Sequence, residues 1–370
     1  MYLKDLVDIQ MGQSPDSKFY NNDKIGLPFY QGKADFGRIN PIPKIWCSKS
    51  KKEAKPNDIL ISVRAPVGDL NINNEQSCIG RGLAAITCKS DVDMMYLYYH
   101  LKYLKPQLRH ISTGSTFESI NRSQLENLII DYKPYSEQIK ISNILQVVQR
   151  QIEVREKLLR LYDLLIKSRF DEFNKNNNNV KVLKLEALCT SVVRGPFGSA
   201  LKVENFVKKS DTSVKVYEQS NAIQRSAAIG SRYISREHYE ALRRFKCKPG
   251  DIIMSCSGTI GKLFILPNDA EEGVINQALC KFTLGKELLP EVFLLYMDIL
   301  IGNIETKGSG IKNISAVKFI KNLEIPVPPI GIQSKLLFEL NQINKLKSDV
   351  QKSIDETQLL MDSLMQEYFG

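Results

Sequence analysis

KPNDILISVRAPVGDL occupies residues 55–70, and KPGDIIMSCSGTIGKL returns at 248–263, 193 positions later. The correspondence widens in both directions. Upstream, PFYQGKADFG places Gln31 where VKVYEQSNAIQ places Gln219; downstream, STGSTFESINRSQLENLIIDYKPYSEQ answers KGSGIKNISAVKFIKNLEIPVPPIGIQ, setting Ser115 against Ser309, Ile120 against Ile314 and Gln138 against Gln333. The offset drifts from 188 to 195, as expected of a diverged tandem duplication with small insertions in loops. The period is that of a whole domain rather than of a solenoid.

Each copy ends in a long helical pattern. Ile141, Leu145, Val148, Ile152, Arg155, Leu159, Tyr162, Ile166, Arg169 and Phe173 step by four and three. The second copy supplies Leu336, Leu340, Ile343, Lys347, Val350, Ile354, Thr357, Met361, Leu364 and Tyr368, each 195 residues on. Sustained 4-3 spacing is the coiled-coil signature. Neighbouring apolar positions (Ile144, Val147, Leu158, Leu165; Leu337, Leu346, Leu360) widen the stripe, which serves either to receive another protein or simply to pack on its own lobe.

Proline and polar runs mark the seams. KPYSEQ and IPVPPIGIQ each precede a long helix, and NKNNNNV, residues 174–180, links the first helix to the second lobe. The expected boundaries are a lobe over 1–135, a helix over 136–175, a lobe over 176–331 and a helix over 332–370. Within the lobes, DILISV, LAAITC, LIIDY, DIIMSC, LFILP and LEIPV read as strands, being short, rich in Ile and Val and flanked by Gly, Pro and Asn. MMYLYYHLKYL and EVFLLYMDILI read as helices.

Seven scattered cysteines without a CxxC pair suggest neither a disulfide framework nor a zinc site, and three histidines leave little for a metal site or a histidine base. No run approaches the length of a membrane span, and MYLKDLVDIQ lacks a signal peptide's apolar stretch, so the expectation is a soluble cytoplasmic protein. The net charge of +10 points to a polyanionic partner. By segment it is +4 for 1–135, +2 for 136–175, +6 for 176–331 and −2 for 332–370, so the excess belongs to the two lobes.

Catalytic signatures are missing from the sequence. There is no GxxxxGK[ST] loop, GxSxG elbow or HExxH, and Val327-Pro328-Pro329-Ile330 lacks the polar group and aromatic with which amino-methyltransferases grip a flipped base. Glu53-Ala54-Lys55 matches the tail of a metal-dependent nuclease signature, but the tripeptide is common and the repeat has no equivalent acidic pair. These absences favour a binding protein, with a DNA-free coiled-coil scaffold, or a catalytic nuclease or methyltransferase, as the alternatives.

Two lobes each followed by a long helix, with KPNDILIS/KPGDIIMS, TGST/KGSG and PYSEQ/PPIGIQ at matching places, resemble the DNA specificity subunit of type I restriction-modification systems. The resemblance implies an α+β fold of two mixed α/β target recognition domains, with the two helices pairing as an antiparallel coiled coil under pseudo-twofold symmetry. It also implies reading of a bipartite double-stranded DNA target. Two methyltransferase subunits and restriction/translocase subunits would be the partners. S-adenosylmethionine, ATP and Mg would be used by those partners, with no cofactor on this chain. Two departures stand out: Arg155 and Lys347 occupy seam positions usually apolar, and Arg64-Ala65-Pro66 stands where lobe two has Ser257-Gly258-Thr259. Long basic side chains satisfy the first by lifting their heads to water.

Antiparallel helices predict that Phe369 lies close to Tyr2. Within the lobes, loop lysines and arginines are expected to hold phosphates while side chains able to bond bidentately read base edges. The candidates are Gln31, Lys33 and Arg38 against Gln219, Asn221 and Arg225; then the loop residues Thr113, Ser115 and Thr116 against Lys307, Ser309 and Lys312; then Arg64, Arg81 and Arg194.

Overall fold

The computed structural model describes residues 1–112, 119–175, 180–306 and 320–370. The repeated words turn out to be a turn, a buried strand and a closed loop. Asn57 and Gly250 take the left-handed conformation (φ 68° and 84°) that the KPND and KPGD turns require, which suits asparagine and glycine. The following aspartate ties each turn to the sheet. Asp58 accepts hydrogen bonds from Lys55 N–H (2.7 Å) and Thr87 Oγ1 (2.7 Å), and Asp251 accepts them from Lys248 N–H (3.0 Å) and Thr283 Oγ1 (2.6 Å).

The strands Ile59–Ser62 and Ile252–Ser255 are wholly buried, and each terminal serine closes the next loop. Ser62 Oγ donates to Pro66 O (2.7 Å) and accepts from Asp69 N–H (2.9 Å); Ser255 Oγ does the same with Thr259 O (2.6 Å) and Lys262 N–H (3.0 Å). Gly68 and Gly261 (φ 82° and 79°) make the bend by which their N–H groups reach the same serine's carbonyl.

Around this frame each lobe builds the same two sheets. In lobe one an antiparallel sheet runs Val7–Met11, Leu83–Cys88, Ile59–Ser62, Leu70–Ile72; in lobe two the order is Cys189–Arg194, Leu279–Leu284, Ile252–Ser255, Leu263–Ile265. A second, five-stranded sheet has one parallel pairing in each lobe, Leu27–Tyr30 with Ser77–Ile79 and Val214–Tyr217 with Gly273–Ile275. LIIDY departs from the strand expectation. Its lobe-two counterpart Glu324–Val327 pairs with Lys181–Lys184, whereas in lobe one the pairing is the bridge Tyr2–Ile129, flanked by hydrogen bonds exchanged between Met1 and Ile130 and by one from Leu3 N–H to Leu128 O (2.8 Å).

The long helices span Tyr135–Lys175 and Ile330–Phe369. Each is seated on its lobe by a fully buried glutamine near its start. Gln138 accepts from Asp93 N–H (2.9 Å) and donates to Lys133 O (2.8 Å) and Asp91 O (3.2 Å); Gln333 accepts from Leu289 N–H (2.9 Å) and donates to Pro328 O (2.7 Å) and Glu287 O (2.8 Å).

Two compact units result, Met1–Arg160 with Ser348–Gly370, and Leu161–Lys347, so each takes part of both long helices. In the first, Ile141, Leu145 and Val148 share a core with Met361, Met365, Phe369 and the lobe's Tyr96 and Tyr99. In the second, Phe170 and Phe173 share a core with Leu336, Leu340 and Ile343. The seam follows the expected positions at first, then slips by one: Phe170, Met365 and Phe369 are buried rather than Arg169, Leu364 and Tyr368. A straight helix of 3.6 residues per turn drifts off a 3.5-residue pattern, and here the drift turns aromatic residues onto the lobes. Of the basic seam residues, Lys347 pairs with Asp163, and Arg155 donates to the Gln151 carbonyl (3.0 Å). Phe369 stacks on His100 at 4.6 Å and lies 5.3 Å from Tyr96, whose hydroxyl donates to Asp131 O (2.6 Å) beside Ile130, the residue that exchanges hydrogen bonds with Met1. Among the described residues no helix is long and apolar enough to cross a membrane.

Candidate nucleic-acid interface

Four loops converge at one end of each lobe, because backbone approaches backbone there. In lobe one, Gly12 N–H donates to Leu83 O (2.9 Å), Gly82 N–H to Gln31 O (3.2 Å) and Val63 N–H to Gly82 O (2.9 Å), while Arg81 N–H reaches Ser14 Oγ (3.3 Å). Lobe two repeats the weave: Gly195 N–H donates to Leu279 O (2.9 Å) and Cys256 N–H to Ala278 O (2.7 Å), and Asn276 N–H donates to Tyr217 O (3.0 Å). A Cβ on Gly195 would strike the Asn276 carbonyl, so only glycine lets those two strand ends close.

On this weave sit several of the candidates. Gln31, Arg64 and Arg81 are exposed in lobe one. Gln31 shares an open cleft of about 620 Å³ with Lys33, Ala65 and Pro66, so the loop after the repeated strand borders the principal candidate. In lobe two Gln219 lies against Gly258, its side-chain atoms within 3.7–3.9 Å of where a Cβ would stand, and its Oε1 is buried without a hydrogen-bond partner among the described residues. The glutamines are the same, but the side chains around them differ. The weave matches Arg81 with Gln277 and Ser14 with Phe197, and the loop after the strand carries Arg64 in one lobe and Ser257 in the other.

Other candidates are committed to the protein. Arg38 reaches Glu156 (2.8 Å) and Glu153 (3.6 Å) on the first long helix. Lys33 pairs with Asp69 (2.8 Å), which also takes Lys105 (2.5 Å). Burial pushes the Asp69 carboxyl up, but the two ammonium groups outweigh it and hold the group below its ordinary value. Asn221 is fully buried and its side chain is consumed by Glu218 N–H (2.8 Å), Ser226 O (2.9 Å) and Ile229 O (2.8 Å), which makes it an organiser of the loop. Arg225 is exposed on the turn so formed, at φ 48°. Arg194 lies over the Phe197 ring at 4.9 Å. Thr113, Ser115, Thr116, Lys307, Ser309 and Lys312 lie outside the described residues.

Phe197, 68% exposed at the tip of its loop, escaped the sequence reading. The available signal was the mismatch between the Gly-Pro-Phe-Gly turn at 195–198 and Gly-Gln-Ser-Pro at 12–15 on otherwise matching frames. Gln138 and Gln333 were aligned, but only their surroundings show that they seat the helices.

One frame carried twice beneath two unlike loop faces defines a protein of two tandem homologous domains. The chain belongs to the type I restriction modification DNA specificity domain family, whose model matches residues 1–160 and 204–357. It is 45% identical over 150 residues, 40% of this chain and 35% of the relative, to a Methanocaldococcus jannaschii protein provisionally named the type I restriction enzyme MjaX specificity subunit. The HsdS subunit from Thermoanaerobacter tengcongensis is 46% identical over 41% of this chain and 37% of that one, with a TM-score of 0.38. The type I restriction-modification system S subunit from M. genitalium aligns over 100% of this chain and 95% of that one at 15% identity and a TM-score of 0.56, a likeness of fold. The matched stretches span 35% and 51% of the two curated M. jannaschii relatives.

Proposed function

We propose that this chain is the DNA-reading subunit of a type I restriction-modification assembly and that each lobe reads one half of a bipartite target. The observation that carries the reading is the pair of loop faces: a common frame presents Gln31 in one lobe and Gln219 in the other amid different neighbours. The exposed Gln31 amide can pair bidentately with adenine in the major groove, and the exposed arginines of that lobe, Arg64 and Arg81, suit guanine edges or phosphates. Chemistry would belong to the partners: two methyltransferase subunits modifying adenine from S-adenosylmethionine, and restriction/translocase subunits using ATP and Mg. The chain itself would be non-catalytic and bind no cofactor.

The long helices would pair antiparallel as the spacer between the two readers. Supporting this, the early turns of the first helix share a core with the last turns of the second, and the late turns of the first share a core with the early turns of the second. A 41-residue helix is about 60 Å long, the rise of roughly 18 base pairs.

Mapping methylated adenines made by the assembled complex tests the reading. Gln31→Ala should relax one half-site by about tenfold or more at one position, leaving the other half-site intact, and Gln219→Ala should do the converse. Loss of preference at both half-sites from either change, or at neither from both, would overturn it.

A further inference from the structure

Arg38 belongs to the segment that follows Gln31, yet its guanidinium faces the first long helix. Nη2 is 2.8 Å from Glu156 Oε2 and Nε is 3.6 Å from Glu153 Oε1, two carboxylates three residues apart on one helix face. The same segment is braced on its other side. Gly37 N–H donates to Asn71 Oδ1 (3.1 Å), Asn40 Nδ2 to Ile72 O (2.7 Å) and Ile72 N–H to Ile39 O (2.7 Å). Beneath the ion pairs, Ile39, Ile72, Tyr98 and Gln149 help to close a cavity of only about 70 Å³. The reading segment of lobe one is thus held from both sides, by its own sheet and by the long helix.

The matching positions of the second long helix do not copy this bracket. Arg225 holds the equivalent place, but the residues 195 positions beyond Glu153 and Glu156 are Ser348 and Gln351, which carry no charge. The bracket is therefore a property of one lobe rather than of the repeated frame.

We propose that Arg38 is a positioning residue: with Glu153 and Glu156 it fixes the angle of the lobe-one reading segment on the spacer helix, so that the gap between half-sites is measured strictly. The inference rests on the bipartite reading above. One added base pair moves the far half-site by about 3.4 Å and rotates it by about 35°. A segment bolted to the helix cannot follow that change, whereas a released one can swing toward it.

The experiment compares methylation rates by the assembled complex on duplexes carrying the preferred gap and gaps one base pair longer or shorter. Arg38→Glu should lower discrimination between gaps by about fivefold, a modest effect because the ion pairs are partly exposed, and leave the preferred bases unchanged. Arg38→Gln, which cannot repel the carboxylates, should shift it in the same direction by less. Combining Arg38→Glu with Glu153→Arg and Glu156→Arg should restore discrimination, which a lesion in folding would not do. Unchanged discrimination in Arg38→Glu, no rescue by the combined variant, or an altered base preference in half-site one would each overturn the proposal. Inserting two turns in both helices separates the two readings: a shifted gap beside an indifferent Arg38 variant rejects the bracket alone, while an unmoved gap rejects the spacer.

Discussion

The two lobes agree in the side chains they bury and differ in those they show. Asp58 and Asp251, Ser62 and Ser255, Gln138 and Gln333 make the same hydrogen bonds within tenths of an ångström, because each satisfies backbone groups that have no water to turn to. Between frame and loop lies a third kind of position, where opposite charges recur with their places exchanged. The bend at Gly68 packs on Lys105, next to Asp69; the bend at Gly261 packs on Ile301, with Lys262 alongside and Asp298 one helical turn before that isoleucine. Lobe one thus sets Asp69 against Lys105, and lobe two sets Lys262 near Asp298, whose carboxyl burial pushes up while Arg225 and Lys262 draw it back. Opposite charges lie near both bends, with the polarity exchanged.

The largest expected effect tests whether the frames are equivalent. Gln138→Leu and Gln333→Leu each strand one buried N–H and two carbonyls, so each should cost about 3–4 kcal/mol. Urea denaturation of the two variants should give penalties within about 1 kcal/mol of each other. Clearly unequal penalties would show that the seats only look alike.

Acidification should separate the two units. Burial depresses the His100 pKa from 6.5 to about 4, so this group favours the folded state fully above pH 6.5 and loses that contribution as the pH falls toward 4. The loss amounts to about 3 kcal/mol. In the second unit Phe170 packs instead on Tyr296, whose hydroxyl burial pushes well above its ordinary value, so that ring gains no charge between pH 7 and 4. Urea titrations between pH 7 and 4, read from Trp46, the single tryptophan and part of lobe one, should show the decline, and His100→Phe should flatten it. A slope that survives the substitution would place the sensitivity elsewhere.

The smallest effect concerns the reversed pair. Asp69→Lys should cost roughly 1 kcal/mol, and adding Lys105→Asp should recover most of it, since the combination copies lobe two's polarity. Thermal melts of the single and double variants decide; a double variant weaker than either single change would mean that Lys33, which also pairs with Asp69, fixes the sign in lobe one.

The legible part of this protein was whatever repetition or periodicity records. The duplicated KP-x-D turn, the strands Ile59–Ser62 and Ile252–Ser255, and the long helices follow from local rules of turn, alternation and 4-3 spacing. Candidate site residues were harder. Gln31 and Gln219 do line matching loops, but Asn221, of similar chemistry and equally repeat-aligned, spends its amide on Glu218, Ser226 and Ile229. Arg38 looks like a groove reader in sequence because nothing local reveals carboxylates 115 and 118 residues away.

By itself, then, the sequence determined that there are two copies of one lobe, where each long helix begins, and that the overall balance is basic. Tertiary structure decided which side chains remain free to read: it drew Arg38 onto Glu153 and Glu156, set Lys33 on Asp69, and left Gln31, Arg64, Arg81 and Phe197 exposed. The physical reason is range. Turn, strand and helix preferences act between neighbours, whereas the partner of a charge or an amide is chosen by whichever group the fold brings within about 3 Å.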